Sequence, residues 1–157
     1  MQNLHELHSF GVWGTKVSDL SPLRGLDTGA AEREGGFELS VGGLSECEDY
    51  TPIAAIGVLR RLDLNGSDCA NWPELTELRE IRALSAHGSH MDQGLFEKIV
   101  AAHPELEELQ IPYNEKVTDL TPLLGMENLR RVVINREMKE AAASLQGRQL
   151  PFELEIW

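Results

Sequence analysis

Leu106-Glu-Glu-Leu109-Gln-Ile111-Pro-Tyr-Asn114 is the stretch whose reading decides the fold. Leu109 and Ile111 alternate with polar neighbours, which is the period of a strand with one buried face. Pro112 and Asn114 then mark a turn, because proline fixes φ and an asparagine side chain can bond nearby backbone groups. The spacing recurs along the chain. Leu59-x-x-Leu62-x-Leu64, Ile81-x-x-Leu84-x-Ala86 and Leu129-x-x-Val132-x-Ile134 share it, with starts 22, 25 and 23 residues apart. The same step carries it forward to Leu154 and Ile156 and back to Leu39 and Val41, with Phe10 and Val12 as an earlier, less regular copy.

A second phrase accompanies the first. Val17-Ser-Asp-Leu-Ser-Pro-Leu23, Cys47-Glu-Asp-Tyr-Thr-Pro-Ile53 and Val117-Thr-Asp-Leu-Thr-Pro-Leu123 each have an apolar residue three places on, at Leu26, Ile56 and Met126. Thr121 is predicted to cap a short helical turn that Pro122 opens, since the missing proline N–H would have no partner there. Asp92 is predicted to cap a longer helix in which Leu95 meets Ile99 and Phe96 meets Val100, ended by His103-Pro104. Another helix is expected over residues 139–146, with Gly147 behind it. Residues 27–36 break the period and read as an inserted loop.

Together these residues resemble the leucine-rich-repeat family, whose unit is Leu-x-x-Leu-x-Leu-x-x-Asn. Leu106 to Asn114 matches that unit throughout, and Ser67 and Ser89 stand in the asparagine place of two others. The Asp-Leu-x-Pro-Leu phrase looks like the bacterial internalin-type subclass, and the longer return helices look like the ribonuclease-inhibitor type. The resemblance covers about residues 7–157. It implies an α/β leucine-rich-repeat solenoid forming a single domain over 1–157, with a parallel sheet on a concave side and short helices or turns on a convex side.

Composition narrows the function. A hydrophobic fraction of 41% and a charged fraction of 25% describe a globular domain, and the formal net charge of −12 disfavours nucleic acid and anionic membrane surfaces. Acidity serves solubility or the steering of a basic partner. No apolar run is long enough to span a bilayer, and residues 1–10 lack the basic and apolar regions of a signal peptide. Two cysteines, Cys47 and Cys69, form no disulfide framework, so the expected setting is cytoplasmic. His87, His90 and Asp92 are of metal-ligand type but straddle a turn. With no phosphate loop, CxxC motif or recognisable nucleophile setting, the expectation is a protein without catalytic residues, cofactor or metal.

The expected function is therefore a protein-binding repeat module, of which an inhibitor or immunity protein against a toxin or enzyme is the narrower form. A structural assembly subunit is the alternative, and a metal enzyme using His87, His90 and Asp92 a third. Outward strand positions supply the candidate partner-binding residues: Trp13, Arg61, Asp63, Asn65, Ser85, His87, Gln110, Tyr113, Arg131, Val133, Asn135, Glu155 and Trp157. Trp157 could equally cap the last strand. Seven strands at ~4.8 Å spacing, each about five residues long, give an outward face of roughly 480 Å². A standard interface needs ~800 Å² per partner, so a tight complex would also use a rim or the helical side.

Overall fold

The structure is a computed structural model and describes residues 6–157. Residues 1–5, which belong to the segment read for a leader, lie outside the described residues. One eight-stranded sheet organises the chain. Its strands are β1 (Ser9–Gly11), β2 (Phe37–Ser40), β3 (Val58–Asp63), β4 (Glu80–Ile81), β5 (Ala83–Ser85), β6 (Glu108–Gln110), β7 (Arg131–Ile134) and β8 (Glu153–Ile156). Every pairing is parallel, and the strands lie side by side in chain order, with β4 a short second partner of β3 before β5 takes over.

Alternation places one row of each strand in the core. Leu39, Leu62, Leu84, Leu109 and Val132 are in register across the sheet and buried. Leu64, Ile111 and Ile134 form a second buried row. At the last strand the pattern weakens: Leu154 is only partly buried and Ile156 is exposed, because β8 has no strand beyond it.

Three α-helices flank the sheet: α1 (Gly29–Arg33), α2 (Gln93–Ala102) and α3 (Lys139–Ser144). The other return segments contain 3-10 turns at Ser21–Gly25, Thr51–Ala55, Cys69–Asn71, Leu75–Glu77 and Thr121–Gly125. Ala31, Phe96, Ile99 and Ala141 of the helices join Leu23, Ile53, Leu75 and Leu123 of the turns in the same core as the inward strand rows. Helices and turns therefore cover one face of the sheet, and the other face is open.

These findings correct the expected leucine-rich-repeat solenoid. The described residues form a single parallel α/β sheet with, among them, only three helices, of 5, 10 and 6 residues, rather than a horseshoe of equivalent strand-and-helix units. Strand spacing is regular because every strand must present the same inward row. The return segments are not: they differ in length and in kind, since each needs only to bring apolar side chains back over the core. The expected protein-binding repeat or immunity module rested on that uniform scaffold and is corrected with it. A parallel sheet flanked by helices is a general α/β frame that does not itself select a function.

Local expectations are corrected as well. Part of 27–36 is α1, with Ala30 and Ala31 buried. Thr121 is not a cap: Asp119 accepts hydrogen bonds from its N–H at 2.8 Å and its hydroxyl at 2.9 Å. Asp19 does the same for Ser21, and Asp49 accepts from the Thr51 N–H. The aspartate two places before each of these three 3-10 turns thus orders its entry. Asp92 does cap α2, accepting from Leu95 N–H at 2.8 Å. The last helix stops at Ser144, two residues before the expected end.

Candidate functional site

The open face is built from three outward rows. Ser9, Glu38, Arg61, Ala83, Glu108, Arg131 and Glu153 form one, in register from β1 to β8. Gly11, Ser40, Asp63, Ser85, Gln110, Val133 and Glu155 form the next. Trp13, Asn65, His87, Pro112, Asn135 and Trp157 stand at the rim where the chain turns off the sheet.

Charge on this face is organised around Arg131. Its Nε and Nη2 donate to the two carboxylate oxygens of Glu155 at 2.7 and 2.9 Å, and Nη1 donates to Glu108. Arg61 reaches Glu108 from β3, at 3.1 Å. Burial alone would raise the Glu108 carboxyl, but bonds from Gln110 and Arg131 and the charges of Arg61 and Arg131 hold it below the ordinary value. Glu155 is held down chiefly by its hydrogen bonds from Arg131. Arg131 is pushed further up, first by Glu155. The network ties β3, β6, β7 and β8 together.

Polar residues order the rim. Asn65 Oδ1 accepts from Ser85 Oγ at 3.0 Å and from His87 N–H at 2.9 Å. Asn135 Oδ1 accepts from Tyr113 N–H at 2.9 Å, and its amide nitrogen donates to Glu137. His87 Nε2 lies 3.4 Å from Gln110 Oε1, and its ring packs edge-on against Trp157 with centroids 5.3 Å apart. In a flat sheet three strand spacings would separate these two residues by roughly 14 Å. Their side chains therefore lean toward each other over β6 and β7.

The structure sorts the expected binding residues. Trp13, Tyr113 and Trp157 are 61%, 55% and 50% exposed. Arg61, Asp63, Asn65, His87, Gln110, Arg131 and Glu155 border the open face with accessible surface. Ser85, Val133 and Asn135 are buried. Val133 sits between Gln110 and Glu155 in its row, so it forms part of the floor. A cap role for Trp157 fits poorly with its exposure, and its edge contact to His87 places it on the face.

Tyr113 shows a feature that sequence reading missed. Its φ is +61°, in the left-handed region, where Gly14, Gly43, Gly66 and Gly88 stand at the equivalent turns. A side chain there costs roughly 1–2 kcal/mol relative to glycine. The bond from Tyr113 N–H to Asn135 holds it in place. His103 was read only as a helix stop. It is fully buried, with Nδ1 2.9 Å from Glu105 Oε1 and Nε2 2.7 Å from the Leu75 carbonyl. These two contacts tie the end of α2 to the turn at Leu75–Glu77.

The metal-enzyme alternative is corrected by geometry. His87 turns to Gln110 and Trp157, His90 lies 3.6 Å from Asp68, and Asp92 caps α2. Among the described residues no group of three His, Cys, Asp or Glu side chains could hold a metal ion. Burial raises both thiols, Cys47 and Cys69, and nearby aspartates raise them further, so neither is poised as a thiolate. Because strand order never reverses, the sheet has no switch-point crevice of the kind that holds cofactors in many α/β proteins. Among the described residues no helix is long and apolar enough to cross a membrane.

The hollows of the surface lie elsewhere. One of about 230 Å³ opens on the face over β1, β2 and β3, between Gly11, Ser40 and Asp63. It continues past Glu38 and Arg61 into a polar groove beside Arg60 and Arg82. A third, between Val100, Pro104, Pro122 and Met126, runs between α2 and the last 3-10 turn. Compared with known proteins, the chain matches no family model, no curated protein and no solved structure.

Proposed function

We propose that the chain is a ligand-binding scaffold, without chemistry of its own, that holds a basic polypeptide segment against the open face of its sheet. The observation that carries this reading is the uncovered, internally braced face with aromatic side chains at its rim. Arg131, Glu108 and Glu155 are fixed by one another, so little side-chain freedom remains to be lost on binding. Trp13, Tyr113 and Trp157 are of the kind that anchors protein contacts, and Tyr113 is kept at a backbone geometry that glycine would occupy more cheaply. The net charge of −12 favours a basic partner, and acidic residues outnumber the two arginines in the strand rows of the face.

The test is fluorescence anisotropy of a labelled lysine-rich peptide, with a glutamate-rich peptide as control. Two variants of equal net charge separate the faces: Asp63→Lys/Glu153→Lys on the open face and Glu74→Lys/Glu77→Lys outside it. We expect the first to lose affinity about tenfold or more and the second to change it little, apart from long-range steering. Equal loss in both would reduce the effect to bulk charge and overturn the reading.

A further inference from the structure

The two halves of the open face differ. Over β6 to β8 long side chains fill it: Gln110, Arg131, Glu155 and Trp157. Over β1 and β2 the outward residues Ser9, Gly11 and Ser40 are small, with Glu38 the one long side chain beside them, and the space above them is the hollow of about 230 Å³. That volume falls below the ~300–1,000 Å³ of ordinary small-molecule sites. It suits one side chain.

We propose that this hollow seats a single lysine or arginine side chain of the polypeptide partner, an inference that rests on the open-face reading above. Its floor is largely carbon, from the backbone and short side chains of β1 and β2, and suits an aliphatic stem. Its border carries Glu38 and Asp63. Asp63 accepts one bond on each oxygen, from Ser40 Oγ at 3.0 Å and from Asn65 N–H at 2.9 Å. Both donors are neutral, and among the described residues Asp63 makes no ion pair, so each oxygen keeps a lone pair and the full charge is available to a cation. Arg61, the positive residue on the border, is drawn toward Glu108 on β6, away from β1 and β2. Glu38 is paired with Arg60 at 2.8 Å and supplies a weaker second pole.

The hollow can be closed without strain. A Cβ on Gly11 would meet Ser40 Cβ at 3.7 Å, an ordinary contact, and Gly11 does not hold a left-handed backbone. Gly11→Leu therefore fills the space while leaving the strand intact.

Amide chemical-shift mapping with Nα-acetyl-lysine methylamide tests the seat, with the norleucine analogue as a neutral probe. The lysine probe is expected to move the Gly11, Ser40 and Asp63 amides, and the norleucine probe to move them far less. Asp63→Asn should weaken the lysine probe about tenfold, the loss of one charge-assisted hydrogen bond. Gly11→Leu should abolish the response with an unchanged melting curve. Equal response to both probes, or lysine shifts confined to β6–β8, overturns the seat. If the lysine-rich peptide binds Gly11→Leu as it binds the parent, the seat falls and the open-face reading survives. If that peptide does not bind the parent at all, both fall.

Discussion

Replacing Asn114 by alanine removes the most connected side chain in the interior. Asn114 is 1% exposed. Its amide nitrogen donates to the carbonyls of Ala86 at 2.8 Å and Ile111 at 3.0 Å, and lies 3.3 Å from that of Pro112. Its oxygen accepts from Met91 N–H at 2.9 Å and Ser89 Oγ at 3.2 Å. These contacts join the turn after β6 to the turn after β5. Alanine leaves the Met91 N–H without this acceptor and the Ile111 carbonyl without this donor, whereas the Ala86 carbonyl keeps the Ser89 hydroxyl at 3.1 Å. Each buried group left unsatisfied costs about 1–3 kcal/mol. Two such groups give a loss of roughly 3–5 kcal/mol after some relaxation, a large part of a typical stability of ~5–15 kcal/mol. Urea unfolding at constant m-value measures it. Asn114→Asp keeps the acceptor to Met91 and loses both donor bonds, so it should also be strongly destabilised near neutral pH. A loss under about 1 kcal/mol for alanine would refute the reasoning, because the buried groups would then have other partners.

Other expectations follow from the same geometry. Leu109→Ala, at the centre of the inward row, should cost ~2–5 kcal/mol in urea melts through transfer and cavity terms. Tyr113→Gly should stabilise the chain by about 1 kcal/mol by relieving its left-handed backbone, and should weaken binding of the lysine-rich peptide; destabilisation would show that the ring is a packing element. Arg131→Leu should cost roughly 1 kcal/mol, a figure discounted for its partial exposure, and should leave Glu108 and Glu155 repelling across β7. Hydrogen bonds from Thr121 hold the Asp119 carboxyl below its ordinary value of 3.8. Its contribution is therefore present above that value and fades as pH falls through the lower folded one. Asp119→Asn should flatten the acid limb of a stability profile below about pH 4, and an unchanged limb would remove Asp119 from the account.

How much of this was legible depended on which physical signal a residue carries. Leu62, Leu84 and Leu109 announce a buried row because alternation with polar neighbours has one simple explanation. Asn114 announces a turn, and its bonds have the expected character. Family resemblance promised more than the residues support, because strand spacing recurs where return segments do not. Thr121 looked like a cap because its residue type often is one, whereas Asp119 has the better acceptor at the better distance. Val133 looked outward by alternation, and it is; its burial comes from neighbours on other strands, which one strand's pattern does not contain. The hollow over β1 and β2 was invisible for a related reason. Ser9, Gly11 and Ser40 are unremarkable singly and make a space only when three strands set them side by side. His103 and Tyr113 needed coordinates: one for two acceptors on one ring, the other for the sign of a backbone angle.

The central claim is that a basic polypeptide lies on the open face. A lysine-rich peptide carrying a nitroxide spin label, titrated into isotopically labelled protein, reports this directly through distance-dependent broadening of amide signals. The account predicts broadening over Ser40, Asp63, Gln110 and Tyr113, with Leu75, Ile99 and Leu123 on the covered side unaffected. Broadening centred on α2 and the Thr121–Gly125 turn, with the strand rows sharp, would contradict it.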